Sequence, residues 1–544
     1  MFNVDIKSLV QRASKAHERD SLLRLWQDIA DQFYVERADF TTSRYLGEEF
    51  ASHLYSSYPA VVRRELANAF SGMLRPTNII WFRQGVENET KLTVIDRRWL
   101  EEKTELQRKA MYARRANFNR ATKEGDSDFS AFGQCVITTE IDWRRPGLLY
   151  RNWHLRDVAW EERYDGSVGS VFRKWKPKLR ELVAQFGEDA MHETNKGKLE
   201  KEGDRIINCM VITVPTEDYD YKFKHPWVQI IVDMDNDHRI QEQGQFVSGY
   251  TIPRWQTVSG SQYSYSPATT AGLPDARLLQ AITLTLLEAG EMYTHPPMIA
   301  VQNAIRSDVQ LFAGGITIAD ADYDERLGDV LRPVTQNHSG FPYGFEMAQD
   351  IRAQLATAFF LNKLTLPVGD KEMTAYETGE RIREYIREAL PLFEPMEMEY
   401  NGQLCDTTFE LMMRSGQFGS PEEIPEGLRN QEVEFKFESP LHDAIERRKG
   451  AQLVETKELL EQVVQLDPTT AADLDIRVAF RDALNGLHTP QKWIRPETEA
   501  NQVAEAMIAK REAAEQAAML QEAGRGAQEV GAGMEALTGG GSAG

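Results

Sequence analysis

The chain has 544 residues, with 63 Lys and Arg against 84 Asp and Glu, a formal net charge of −21 at pH 7. That length suits roughly two to four domains, and 41% hydrophobic content supplies real cores, so the chain as a whole is not disordered. The acidic balance argues against a basic clamp on DNA, which needs excess Lys and Arg to neutralise phosphates, and against a surface drawn to anionic lipid.

Three separated cysteines, Cys135, Cys209 and Cys405, cannot build a disulfide framework or a Cys-rich zinc site, and suggest a reducing compartment. Residues 1–20 contain no apolar signal-peptide core, and no run of about 18 apolar residues occurs, so no membrane span is expected.

In chain order, residues 7–35 read as one long helix with Leu23, Leu25, Trp26, Ile29, Ala30 and Phe33 as its buried stripe. A second helix starts near Pro59 and stops at Arg75-Pro76. NIIWFR then reads as a strand, and a third helix runs over 96–122. From Phe132 to about residue 256 the pattern is β-rich, with apolar runs GLLYRNW, VGSVFRKW, INCMVITV and WVQIIVDM and a hairpin around Asp235-Asn236-Asp237. A short helix over 178–186 interrupts it.

From Gly272 the character changes. Leu278, Leu279, Ile282, Leu284, Leu286 and Leu287 mark a helix apolar on most of its circumference, ending at His295-Pro296-Pro297. A β-like insert follows, then a helix over 343–361 with Met347, Ile351, Leu355 and Phe359 at i+4 steps. A loop, NKLTLPVGDKEM, leads to a long helix from Thr374 that must kink at Pro391 and Pro395. VEFKF (433–437) reads as a strand, the last third as helices, and the Gly-rich end as flexible.

Motifs for chemistry fail on inspection. There is no Walker A loop, GxGxxG or GxSxG. His192-Glu193 lacks the second His of HExxH, since position 196 is Lys. The ladders Asp233/Asp235/Asp237 and Asp320/Asp322/Asp324 lack the Gly and Glu an EF-hand requires. No catalytic, cofactor or metal residue is assigned, and no cofactor is expected.

Three segments carry a resemblance: LANAFSGMLRPTNIIWFR (66–83), DFSAFGQCVITTEID (128–142) and, most specifically, MTAYETGERIRE (373–384). In their order and spacing they resemble the portal, or head-to-tail connector, proteins of tailed bacteriophages, in particular the connectors of short-tailed phages. The resemblance implies an α+β portal-type fold. Residues 1–271 would form a mixed wing, 272–294 and 342–361 the two stem helices, and 295–341 a small β-containing clip. Residues 362–373 would be the tunnel loop, 374–439 the long kinked helix and return to the wing, 440–523 the helical crown, and 524–544 a flexible tail. It also implies a homo-oligomeric ring of about twelve subunits at one capsid vertex of the virion, assembled in the host cytoplasm. The ring would conduct double-stranded DNA in packaging and ejection. It would dock the terminase large subunit and later a tail adaptor, nucleate heads with capsid and scaffolding proteins, and have no membrane role or catalysis of its own.

About twelve copies at −21 each would give a ring near −250, a poor DNA binder but a serviceable conduit, because low affinity is what sliding requires. Lys363, Thr365, Pro367, Gly369 and Lys371 are the tunnel-loop candidates, the two lysines as DNA contacts or simply solvated. Arg306, Asp308, Asp320, Asp322, Asp324, Arg326 and Arg332 are the candidate clip docking surface. Two alternatives stay open: another head or tail structural protein, or a cytosolic multidomain enzyme with a dispersed active site.

Overall fold

The computed structural model describes residues 6–45, 47–77, 79–87, 92–142, 144–145, 147–219, 224–300, 331–333, 340–364, 396–429 and 431–437. Beyond these it describes 456–457, 460, 475–486, 489, 493–495 and 499–514. The chain packs as two units: Met1–Trp81 with Gln107–Gln417, and Phe82–Leu106 with Phe418–Gly544. Helix and sheet are mixed.

The first unit begins with α1 (Ile6–Ala16) and α2 (Asp20–Phe33), not the single helix expected over 7–35. The break has a physical cause. Arg19 turns inward, 8% exposed, and donates to the carbonyls of Leu155 and Val158 at 2.6 and 2.7 Å and to the Tyr263 hydroxyl at 2.9 Å. Those bonds outweigh helix continuity across His17–Arg19. Next comes α3 (Tyr58–Leu74), with Pro59 in its first turn as expected; β1 (Phe82–Val86) and most of α4 (Val94–Met111), which follow in the chain, belong to the second unit. The helix expected over 96–122 stops at Met111. Asn117 takes a left-handed φ of 56°, and α5 (Phe118–Phe132) starts anew on a largely buried face.

Two antiparallel sheets follow. The three-stranded one orders β3 (Leu148–Trp153), β2 (Val136–Ile141) and β9 (Tyr250–Thr251). The five-stranded one runs β4 (Val158–Glu162), β5 (Val168–Trp175), β6 (Cys209–Pro215), β7 (Trp227–Asp233), β8 (His238–Gln245). β6 is the central strand and every residue in it is buried, as a strand covered on both faces must be. One face packs under Leu9 and Ala13 of α1. The other packs under α6 (Leu179–Phe186) through Leu179 and Leu182.

The long helices expected from Gly272 are α8 (Leu273–Thr294) and α9 (Phe341–Ala358); the four-residue α7 (Leu199–Glu202) lies before them, between the sheet strands. Between α8 and α9, β10 (Met298–Ala300) pairs antiparallel with β11 (Leu331–Pro333). After α9 come α10 (Leu361–Leu364) and, past 365–395, a π-helical turn Glu397–Gly402 that runs into α11 (Gln403–Arg414).

In the second unit β12 (Val433–Phe437) pairs antiparallel with β1, Phe82 opposite Phe437 and Val86 opposite Val433. The Thr104 hydroxyl accepts from the Gln84 amide on the other side of β1 at 3.0 Å. Asp96 accepts from the Thr93 amide and hydroxyl at 2.8 and 2.7 Å, closing the start of α4. Val86, Leu100 and Leu428 form this unit's described core. A further helix, α12 (Ile476–Gly486), and helical residues over 499–514 lie in the region expected to be helical.

Candidate functional site

The α8–α9 pair and the segment it leads into are the candidate site. At its base the pair is a well-packed core element. Leu279, Ala276, Ile351, Leu355 and Phe359 are buried, and Phe359 stacks on Phe33 at 5.2 Å. Gln280 is buried and hydrogen-bonded on both sides of its amide. It accepts from the Tyr55 and Ser56 amides and donates to the Ser56 carbonyl, all at 2.8 Å. Two glycines set the spacing. A Cβ on Gly272 would lie 2.9 Å from the Phe359 ring and 3.0 Å from Phe33. One on Gly344 would lie 2.9 Å from Leu286, so α8 and α9 approach closely there through the absence of a side chain.

Away from the base the pair is bare. Leu287 is 53% exposed, and Met292, Tyr293, Phe341, Tyr343, Phe345 and Met347 are exposed as well, Tyr343 at 72%. Seven large apolar side chains on the far halves of two adjacent helices are more than scattered surface hydrophobics; at 3.6 residues per turn they run around both helices, and apolar exposure of this extent marks an interaction surface.

The chain leaves α9 through a strained joint. Phe360 takes φ 58°, a left-handed conformation that bulky residues adopt at a cost of order 1–3 kcal/mol. Its ring lies 6.2 Å from Trp255, which stacks on Phe129 at 5.4 Å; Phe129 in turn meets Tyr400 at 5.6 Å. Tyr400 belongs to the π-helical turn at 397–402. One aromatic chain therefore joins the point where residues 365–395 depart to the point where they return.

A buried ionic hub holds the return. Arg75 donates to the Asn401 side chain at 2.7 Å, lies 4.3 Å over the Tyr400 ring, and forms an ion pair with Asp126. Arg75 and Asp126 are 3% and 1% exposed. Burial alone would lower the Arg75 pKa and raise that of Asp126. Mutual attraction opposes both, leaving Arg75 above its ordinary range and Asp126 still above its own. Burial likewise pushes the Cys135 and Cys405 thiols well up, as inert core residues rather than reactive ones.

The structure places few of the residues nominated from sequence. Lys363 lies in α10. Thr365, Pro367, Gly369 and Lys371 lie outside the described residues, as do Arg306, Asp308, Asp320, Asp322, Asp324 and Arg326. Arg332 sits on β11 opposite Ile299. Pro391 and Pro395 also lie outside. The first Asp ladder resolves into turn chemistry: buried Asp233 accepts from the Asp235 amide at 3.0 Å and from Asn195 and Asn236 at 3.2 and 2.8 Å. No group of three or more His, Cys, Asp or Glu arranged to hold a metal occurs among the described residues. Among the described residues, no helix is long and apolar enough to cross a membrane. Sequence reasoning missed Arg75, Asp126, Tyr400 and Asn401. No local signal marked them: Asp126 stands among Ser127, Asp128 and Ser130, and reads as one polar residue of several.

Residues 6–494 match the family described as "Bacteriophage head to tail connecting protein". Two curated relatives are similar over much of their length. A "Probable portal protein" of Bordetella phage BPP-1 is 23% identical over 442 residues, covering 78% of this chain and 77% of that protein. A "Portal protein" of Salmonella phage epsilon15 is 22% identical over 373 residues, covering 67% and 66%. A solved chain from "Virion of native gene transfer agent (GTA) particle" overlaps 76% of this chain and 86% of its own at 11% identity. Its TM-score of 0.33 is too loose to carry structural detail across.

Proposed function

The chain belongs to the bacteriophage head to tail connecting protein family, and from that premise we propose that it is a portal protein. Its role is structural rather than enzymatic, and its place is the virion. We infer a ring of about twelve copies at one capsid vertex, whose channel passes double-stranded DNA during packaging and ejection. The observation that carries the ring is the exposed apolar surface around the far halves of α8 and α9. A single chain leaves it in water, and head-to-tail contacts that close on rotation would bury it. In this reading α8 and α9 are the stem, and residues 1–271 with 374–439 are the wing. Residues 295–341 are the clip, with Arg306, Asp308, Asp320, Asp322, Asp324, Arg326 and Arg332 docking the terminase large subunit and then a tail adaptor. Residues 440–523 are the crown, and capsid and scaffolding proteins contact the ring during assembly in the host cell.

Residues 362–373 are the tunnel loop of the proposal, with Lys363 and Lys371 steadying the duplex in an otherwise acidic channel and Thr365, Pro367 and Gly369 shaping the loop. The observation that supports a defined loop position is the double anchorage of 365–395, at Phe359–Phe360 and at the Arg75–Asn401 hub. Negative-stain electron microscopy of the purified chain tests the ring: annular particles with a central hole are expected, and only monomers or dimers at high concentration would overturn it. Changing Lys363 and Lys371 together to Ala should leave rings intact and alter DNA packaging or retention. Unchanged packaging removes the DNA-contact assignment and leaves the ring standing.

A further inference from the structure

The two sheets of the first unit carry an alternating stack that the portal reading does not use. Arg151 and Trp153 share one face of β3, and Arg173 and Trp175 share one face of β5, each pair two residues apart. The Arg151 guanidinium lies 4.5 Å from the centre of the Trp153 ring. That of Arg173 lies 3.9 Å from the same ring and 6.0 Å from Trp175. The stack is fixed in place: Trp153 donates its indole N–H to the Thr138 hydroxyl, and Arg173 donates Nε–H to the Tyr250 hydroxyl, both at 2.9 Å. Arg173 is only 6% exposed, whereas Arg151 faces solvent. Among the described residues neither guanidinium closes an ion pair with a carboxylate. Burial first, and then Arg173, lowers the Arg151 pKa; Glu140 and Glu181 pull the other way from a distance. Two cations share one indole with no anion between them, on a chain whose net charge is −21.

We propose that this stack is a docking site for an acidic segment of another protein, which seats an Asp or Glu side chain against the solvent-facing Arg151 guanidinium, held over the Trp153 ring and beside the buried charge of Arg173. A planar guanidinium pairs with carboxylate in a two-pronged way, and Arg and Trp together are the residue types that anchor protein interfaces. Nucleic acid fits less well. Its backbone brings a run of phosphates, and the negative charges of Glu140 and Glu181 act on Arg151, so a single carboxylate meets less repulsion there than a run of phosphates does. The test is fluorescence anisotropy on the full-length protein with a labelled oligoglutamate peptide and, in parallel, a labelled DNA duplex. The peptide should bind in a salt-sensitive manner. Arg151→Glu should weaken it at least about ten-fold, and Arg151→Gln less. Lys174→Glu makes the same charge change on the opposite face of β5 and should leave affinity within about two-fold. Circular dichroism checks that each variant is folded. No saturable peptide binding overturns the proposal, as does equal loss in Arg151→Glu and Lys174→Glu. Tighter binding of the duplex with the same dependence on Arg151 assigns the site to nucleic acid instead and overturns it equally.

Discussion

Replacing Gly272 with Ala should destabilise the first unit, although Ala is the better helix former. Gly272 has φ −74° and ψ −31°, so no left-handed backbone requirement protects it. On propensity alone the substitution would gain about 0.5–1 kcal/mol. The new methyl group, however, would sit 2.9 Å from Phe359 and 3.0 Å from Phe33, where carbon atoms normally rest about 3.5–4.0 Å apart. Neither ring can retreat alone, because they stack on each other at 5.2 Å and both are fully buried. Overpacking of this kind costs about 1–3 kcal/mol, leaving a net loss of up to about 2.5 kcal/mol. The control is Gly72→Ala on α3, exposed and with nothing within 4 Å of the added carbon, which should stabilise by up to about 1 kcal/mol. Urea denaturation followed by circular dichroism gives both midpoints. The reasoning is refuted if Gly272→Ala shifts its midpoint upward with Gly72→Ala. Partial rescue of Gly272→Ala by a second change, Phe359→Leu, would locate the clash.

Three further outcomes follow from the same geometry. Leu287→Lys combined with Phe345→Lys should block assembly into larger particles, seen by mass photometry, while changing single-chain stability by no more than about 0.5 kcal/mol per site. Asp126→Asn should cost about 3–5 kcal/mol, since it strands the buried Arg75 charge; a midpoint within error of the parent would show that the hub is not structural. Burial, reinforced by Lys174 and Arg19, pushes the His17 pKa from its ordinary 6.5 down to about 3. Between those values the unfolded chain binds the proton and the folded one does not, so stability falls as pH drops from about 6.5 towards 3. His17→Gln should flatten that part of the stability–pH curve, and an unchanged slope would remove His17 from the account.

Strands were the most legible part of the chain. β5, β6 and β7 are apolar runs bounded by turn residues, and the Asp-Asn-Asp turn before β8 supplies its own side-chain caps. Of the i+4 stripe Met347, Ile351, Leu355 and Phe359, the last three are buried, whereas Met347 is 52% exposed. Helix breaks were not legible. Arg19 looks like a solvent-facing helical residue until Leu155 and Val158 place carbonyls around it, and Asn117 breaks the next helix through its own backbone. β12 was recognisable as a strand, but nothing local to VEFKF names β1 as its partner. At the candidate site the missed group was polar. Arg75 beside Pro76 reads as a helix stop, and its burial exists only because Asp126, Tyr400 and Asn401 converge from two other elements. Local pattern reports which face is apolar; it does not report which distant charge completes a buried pair.

The three-residue pairing of β10 with β11 fixes what the helices require of the chain between them. Met298–Ala300 and Leu331–Pro333 run antiparallel, so the outgoing and returning strands stand about 5 Å apart, which holds the two ends of the intervening sequence together. Doubling the length of a chain closed between fixed ends adds only about 0.6 kcal/mol of closure cost. The closure cost therefore depends little on how long that sequence is, and the helix contacts already described, Leu286 at Gly344 and Phe359 on Phe33, are made by residues outside it. Whatever this end of the molecule must fit can change on an evolutionary timescale of its own.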